Sequence, residues 1–167
     1  VRVWNIFVEE MYEERDGDWR YNFTRVDRGL DFLVENGIKP YIELSFKPLD
    51  VSYSIHSALS ERDNDIIFHN RESYKKIMND FAIHLTNVYG VDEIESWYFE
   101  LWKDDRLNIE DKNGWYFDCF EIGYHALKRI SKDMKVGGAG FALGYDRYQY
   151  NKLIQNWKVQ NVKPDFI

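Results

Sequence analysis

The chain has one cysteine, Cys119, so no disulfide can form within it, and nothing in its residues asks for an oxidising compartment. Cys119 reads as a packed helical thiol, and a cytoplasmic setting is the expectation. Long apolar runs are also missing. None approaches the roughly 20 residues that cross a bilayer, so a soluble domain without membrane contact is expected. Basic residues are too few to grip a phosphate backbone: 22 Lys and Arg face 29 Asp and Glu, for a formal net charge of −7. Any contact with nucleic acid would have to come from another part of a longer protein. The four histidines, His56, His69, His84 and His125, show no ligand spacing such as H-E-x-x-H, and no metal is expected. Gly137-Gly138-Ala139-Gly140 lacks the Lys-Ser/Thr of a P-loop and the G-x-G-x-x-G spacing, so neither a phosphate loop nor a cofactor is expected.

What is present suffices for one domain with a real core: 167 residues, 44% of them hydrophobic and 17% aromatic. Val1 to Phe7 alternates and is rich in β-branched and aromatic residues, which predicts a strand with Glu9 and Glu10 at its mouth. Asp16-Gly17-Asp18 is a turn signal. Asn22 or Thr24 can cap a helix through Val26, Leu30 and Leu33, which Gly37 stops. Lys39 to Phe46 reads as the next strand, with Pro40 tolerated at its start. The stretch Leu49 to Arg71 has no clean periodicity and follows a strand end, as a functional loop would.

Tyr74, Ile77, Met78, Phe81, Leu85 and Val88 mark an amphipathic helix ending at Gly90, with His84 near the stripe as a packed or half-buried residue. The strand Trp97 to Trp102 then breaks into charge at Lys103, Asp104 and Asp105. Asn113 can cap a helix through Phe117, Phe120, Tyr124, Leu127 and Ile130. The strand Met134 to Gly138 follows, then a helix through Tyr150, Leu153, Ile154 and Trp157. Strands alternating with helices predict a parallel α/β sheet, which an open doubly wound sheet and a barrel both satisfy. Lys163-Pro164-Asp165-Phe166-Ile167 reads as a further strand beginning. Residues 1–167 are therefore expected to be a segment of a longer chain, with about five parallel strands where a full (β/α)₈ barrel takes eight.

The run Phe99-Glu100-Leu101-Trp102-Lys103-Asp104-Asp105 resembles the acid/base segment of glycoside hydrolase family 39, which reads roughly F-E-V-W-N-E-P and ends its strand on the catalytic Glu. Gly37 to Pro48, GIKPYIELSFKP, is similar to a second phrase of that family, and Lys135-Val136-Gly137-Gly138 to a third. The phrases come in family order along nearly the whole chain. The resemblance implies a partial TIM barrel. It also implies a retaining mechanism in which two carboxyl groups sit about 5 to 5.5 Å apart, with the nucleophile on a strand beyond Ile167.

At the acid/base position stands Asp104, and Lys103 replaces the Asn that contacts the sugar's 2-hydroxyl. Trp4 stands where the first-strand phrase R-F-H-G-I-F has a sugar-contacting His. The run is most similar to degenerate copies of this barrel in AraC-type transcription regulators. The expectation is therefore a non-catalytic domain that binds a saccharide or transmits a signal, with DNA contacted by a separate helix-turn-helix domain. Ligand contacts would come from Trp4, Phe46, Trp102, Lys103 and Asp105. The alternatives are an active β-xylosidase-type enzyme with Asp104 as acid/base, and a structural or dimerisation domain. Strand parity sets Glu43 and Glu100 on interior faces, and a buried cluster of Arg2, Glu43 and Glu100 is expected at the barrel floor. The remaining barrel strands or a second copy would complete the sheet.

Overall fold

In the computed structural model, residues 1–3, 6–7, 12–15, 18–44, 71–101, 115–138 and 147–167 are described. The parallel sheet is built from β1 (Arg2–Val3), β4 (Tyr41–Glu43), β5 (Tyr98–Leu101) and β6 (Lys135–Gly138), in that spatial order. Helices α1 (Thr24–Glu35), α2 (Arg71–Tyr89), α3 (Val91–Ile94), α4 (Trp115–Lys128) and α5 (Arg147–Val159) lie between and after the strands. Each strand pairs with the one that precedes it in the parallel series, so the sheet never reverses direction. Right-handed crossovers in such a monotonic order put every helix on the same face, which is the winding of a barrel arc.

The two faces of the sheet differ in chemistry. Val3, Ile42, Leu44, Phe99, Leu101 and Val136 face the helices, and from Ile42 onward all are buried. Against them pack Leu30 of α1, Ile77, Met78 and Phe81 of α2, and Phe120 and Leu127 of α4, each of the larger side chains contributing about 1.5–3 kcal/mol by leaving water. The other face carries Arg2, Tyr41, Glu43, Tyr98, Glu100, Lys135 and Gly137, and it becomes the barrel interior.

Local chemistry sets the ends of the elements. Gly37 takes φ +70° after α1; its N–H reaches the Val34 carbonyl at 2.9 Å and that of Ile38 reaches Leu33 at 2.9 Å, a Schellman stop. At the other end, Asn22 Oδ1 accepts the Thr24 N–H at 3.0 Å, while Phe23 occupies the cap position itself. The half-buried His84 ties α2 to α1 through Nε2 and Asp27 Oδ1 at 2.6 Å, with Phe23 packed on its ring at 4.7 Å.

Several expectations on element bounds are corrected. Tyr12–Arg15 and Asp18–Tyr21 pair as an antiparallel hairpin, β2 and β3, which the single turn signal had not announced as two strands. The sequence Asp16-Gly17 between them is the dipeptide that a two-residue hairpin loop favours. Trp97 precedes β5 and is fully buried, its Nε1 donating to Glu93 at 2.8 Å. On α5, Leu153 and Trp157 face the core together with Asn156, whereas Tyr150 and Ile154 are 39% exposed, so the buried stripe is narrower than the apolar one. Val88 of α2 is likewise exposed.

The strand expected to begin at Lys163 to Ile167 is not formed: the segment is extended beside β6 without joining the four-stranded sheet. It is held there by two backbone bonds, from the Asp165 N–H to the Val136 carbonyl at 2.8 Å and from the Gly138 N–H to that of Phe166 at 3.2 Å. Lys128 Nζ holds Asp165 at 2.7 Å, and the Asp165 carboxylate also accepts the Val136 N–H at 2.8 Å.

Candidate functional site

Two rows of interior side chains cross the sheet. In the first, Arg2, Tyr41, Tyr98 and Lys135 stand opposite one another on four successive strands. The Arg2 guanidinium lies 4.9 Å from the Tyr41 ring centroid, Tyr41 stacks on Tyr98 at 5.8 Å and 10°, and Lys135 Nζ lies 4.9 Å from the Tyr98 centroid. Two cations thus flank two stacked rings, each attracted by the negative face of its neighbour. Phe166 meets both rings edge-on, at 5.9 Å and 5.4 Å. It fits because the next residue of the second row is Gly137, where a Cβ would come within 2.3 Å of the Phe166 ring.

The second row holds Glu43 and Glu100, register partners on β4 and β5 and both buried. Arg2 reaches across the Tyr41 ring to form an ion pair with the Glu100 carboxylate. The Tyr41 hydroxyl also hydrogen-bonds to Glu100. Burial pushes the Glu100 carboxyl above its ordinary range, while the charge of Arg2 and the hydrogen bonds from Tyr41 and Arg2 pull the other way. The Tyr41 phenol is pushed up to about 12, first by burial and then by the negative charge of Glu100. The structure therefore brings Arg2 and Glu100 into direct contact and sets Glu43 beside Glu100 in the register. A buried, raised carboxyl held by a guanidinium and a phenol is suited to tying three strands together.

Trp4, Phe46, Trp102, Lys103, Asp104 and Asp105 lie outside the described residues, as does Asn113. The strands that lead to them are described: β1 ends at Val3, β4 at Glu43 and β5 at Leu101, all at the same edge of the parallel sheet. That edge is where ligands bind in barrels of this winding. Sequence reasoning did not find the ring row or Phe166. Parity places Tyr41 with Glu43 and Tyr98 with Glu100, but which residue faces which on the next strand is set by register, which no single strand encodes. Among the described residues, no group of three or more histidine, cysteine or carboxylate side chains could hold a metal ion, and no helix is long and apolar enough to cross a membrane.

Comparison with known proteins agrees with this winding. A β-xylosidase of Caldicellulosiruptor saccharolyticus is 29% identical over 139 residues, covering 79% of this chain. The chain spans only 28% of that relative's length. An α-L-iduronidase of Mus musculus is 26% identical over 124 residues, covering 72% of this chain and 18% of its own. The crystal structure of a monomeric β-xylosidase from Caulobacter crescentus CB15 superposes with a TM-score of 0.58 at 26% identity, over 82% of this chain and 29% of that one. The sequence profile of the glycosyl hydrolases family 39 matches residues 1–167 throughout. With its one-sided winding, its interior rows and this match from end to end, the chain belongs to glycosyl hydrolases family 39.

Proposed function

We propose that this segment belongs to a family 39 barrel that has lost hydrolysis and holds a saccharide within an AraC-type transcription regulator. The observation that carries the reading is the sequence Trp102-Lys103-Asp104-Asp105 directly after β5, where the family phrase has W-N-E-P. An aspartate is one methylene shorter than glutamate, and misplacement on the order of 1 Å can cost about 100-fold in rate. A lysine next to it favours the carboxylate, whereas a general acid must arrive protonated. Trp4 in place of the family His removes a third sugar contact of the hydrolytic site.

These changes leave residues suited to holding a sugar. Trp4, Phe46 and Trp102 offer aromatic faces for the C–H faces of a pyranose, and Lys103 and Asp105 offer hydrogen bonds to its hydroxyls. A xylose-based oligosaccharide is the ligand class we favour, because the chain is similar to β-xylosidases over most of its length. Glu43 and Glu100 have a structural role in this reading, supported by the hold of Arg2 and Tyr41 on Glu100. DNA contact falls to a separate helix-turn-helix domain, the setting is cytoplasmic, and further strands of the same barrel complete the sheet.

The test is turnover of aryl β-xylosides by the full-length protein and by a Lys103→Asn, Asp104→Glu double variant. No turnover by wild type, with activity gained in the double variant, is the expected result. Wild-type turnover that Asp104→Asn abolishes would make Asp104 a working acid. That second reading, an active β-xylosidase-type enzyme, is favoured by the 29% identity to the Caldicellulosiruptor β-xylosidase.

A further inference from the structure

The sequence carries Asn-Gly at positions 36 and 37, where α1 ends. This dipeptide invites an intramolecular reaction, because glycine has no Cβ to shield its amide nitrogen from the asparagine side chain before it. Reactions of this kind make asparagine one of the thermolabile residues. Both residues are exposed, and a Cβ on Gly37 would meet nothing within 4 Å, so solvent has open access. The helix stop nevertheless holds the reacting groups apart. Asn36 has ψ 10°, which places the Gly37 nitrogen away from the asparagine Cβ, whereas closing a five-membered ring needs the two eclipsed. The Gly37 N–H donates to the Val34 carbonyl and that of Ile38 to Leu33, both at 2.9 Å, and Asn36 Nδ2 donates to the Phe32 carbonyl at 2.7 Å. The nucleophile and the amide it would attack are thus both engaged by the last turn of one helix, a place where opening costs little.

We propose that Asn36-Gly37 is a site of spontaneous deamidation, gated by opening of the α1 stop. Hydroxide removes the Gly37 amide proton, the nitrogen attacks Asn36 Cγ, and the Cγ–Nδ2 bond breaks. The side-chain amide takes a proton from water and leaves as ammonia. Water then opens the cyclic imide. Cleavage of the new N–Cγ bond gives aspartate; cleavage of the original peptide C–N bond gives isoaspartate, whose main chain runs through Cβ. No oxidant or reductant takes part.

Either product strikes the fold at a sensitive point. A carboxylate would stand at the negative end of α1, whose last turn holds no basic residue. Isoaspartate also lengthens the main chain by one atom, which breaks the paired bonds of the stop. Directly beyond, Lys39 holds Glu93 at 2.6 Å, the Pro40 carbonyl accepts the Tyr98 N–H at 3.3 Å, and Tyr41 stands in register with Arg2. The reaction is therefore a route by which ageing loosens β4 from its neighbours β1 and β5, whether or not the barrel binds a sugar.

The full-length protein is incubated in mildly alkaline buffer and Asn36 is followed by peptide mapping, with fragmentation separating aspartate from isoaspartate. Mapping is needed because Asn113-Gly114, outside the described residues, is a second Asn-Gly. A peptide of residues 33–40 supplies the ungated rate. Wild type should react roughly tenfold more slowly than the peptide, equivalent to about 1.4 kcal/mol of opening. Val34→Gly keeps the carbonyl and the Asn-Gly pair but weakens the last turn. It should quicken the reaction several-fold in the protein, in step with faster amide exchange at Gly37 and Ile38, and leave the rate of the matching peptide unchanged. If that variant fails to fold, wild type in urea below its unfolding transition takes its place, with the same expectation.

A native rate equal to that of the peptide overturns the gate. So does a rate that stays fixed while exchange at Gly37 and Ile38 accelerates. No product at Asn36 in either protein over many peptide half-lives overturns the site itself.

Discussion

Replacing Arg2 by methionine removes the guanidinium from Glu100 while keeping most of the aliphatic length. Breaking a fully buried ion pair costs about 3–5 kcal/mol, and breaking an exposed one costs about 0–1 kcal/mol. Here the Glu100 side chain is 4% exposed and that of Arg2 33%, so the pair lies between those limits, at about 2 kcal/mol at neutral pH. The cost should depend on pH in a definite direction. Burial already raises the Glu100 carboxyl and Arg2 opposes that rise, so without Arg2 the rise is larger. A carboxyl raised in the folded state binds its proton more tightly there than in the unfolded chain. Its contribution to stability is complete below the ordinary carboxylate range and is lost as pH climbs through the raised value.

The penalty of Arg2→Met should therefore grow with pH. Urea unfolding of the full-length protein should give about 2 kcal/mol at about pH 8, and under about 1 kcal/mol at about pH 5. In a Glu100→Gln background the same substitution should cost less than about 0.5 kcal/mol, since no buried charge is left behind. A penalty that neither varies with pH nor shrinks in that background would refute the reasoning.

Gly137→Ala puts a methyl group where the Phe166 ring lies. Overpacking there should cost about 1–3 kcal/mol in urea midpoint measurements, and Phe166→Ala should recover part of the loss. Tyr41, Tyr74, Tyr89 and Tyr116 are all held above the ordinary tyrosine range, chiefly by burial. The folded state thus binds more protons than the unfolded one in alkali. Stability should fall as pH rises above about 10, and circular dichroism should show base-induced unfolding that Tyr41→Phe delays. Gly37→Ala, at φ +70°, should destabilise by about 1 kcal/mol through the strained left-handed stop, read as a lowered melting temperature.

The amphipathic helices were legible because their buried residues recur at helical spacing: Val26, Leu30 and Leu33 face the core as that spacing requires. Gly37 was legible as a stop because only glycine takes its backbone angles without strain. Strand parity was enough to set Glu43 and Glu100 on interior faces, because side chains alternate whatever the neighbours are. The partner of each was not legible. Arg2 stands opposite Tyr41 and reaches Glu100 one strand further on, a contact created by register between segments nearly a hundred residues apart. The same holds for Phe166, whose place depends on the absence of a side chain at Gly137. The choice between an open sheet and a barrel was not legible in alternation alone, since spatial strand order decides it. The hairpin of β2 and β3 was hidden because polar and aromatic residues fill it, with no apolar alternation to give it away. The candidate ligand residues Trp4, Phe46 and Trp102 to Asp105 came from the family phrases, and they lie outside the described residues.

Whether the barrel holds a sugar without cutting it is tested most directly by titrating xylobiose into the full-length protein in a calorimeter and then analysing the sugars left in the cell. The account predicts saturable heat and xylobiose recovered intact. Xylose released by wild type and not by Asp104→Asn would contradict it.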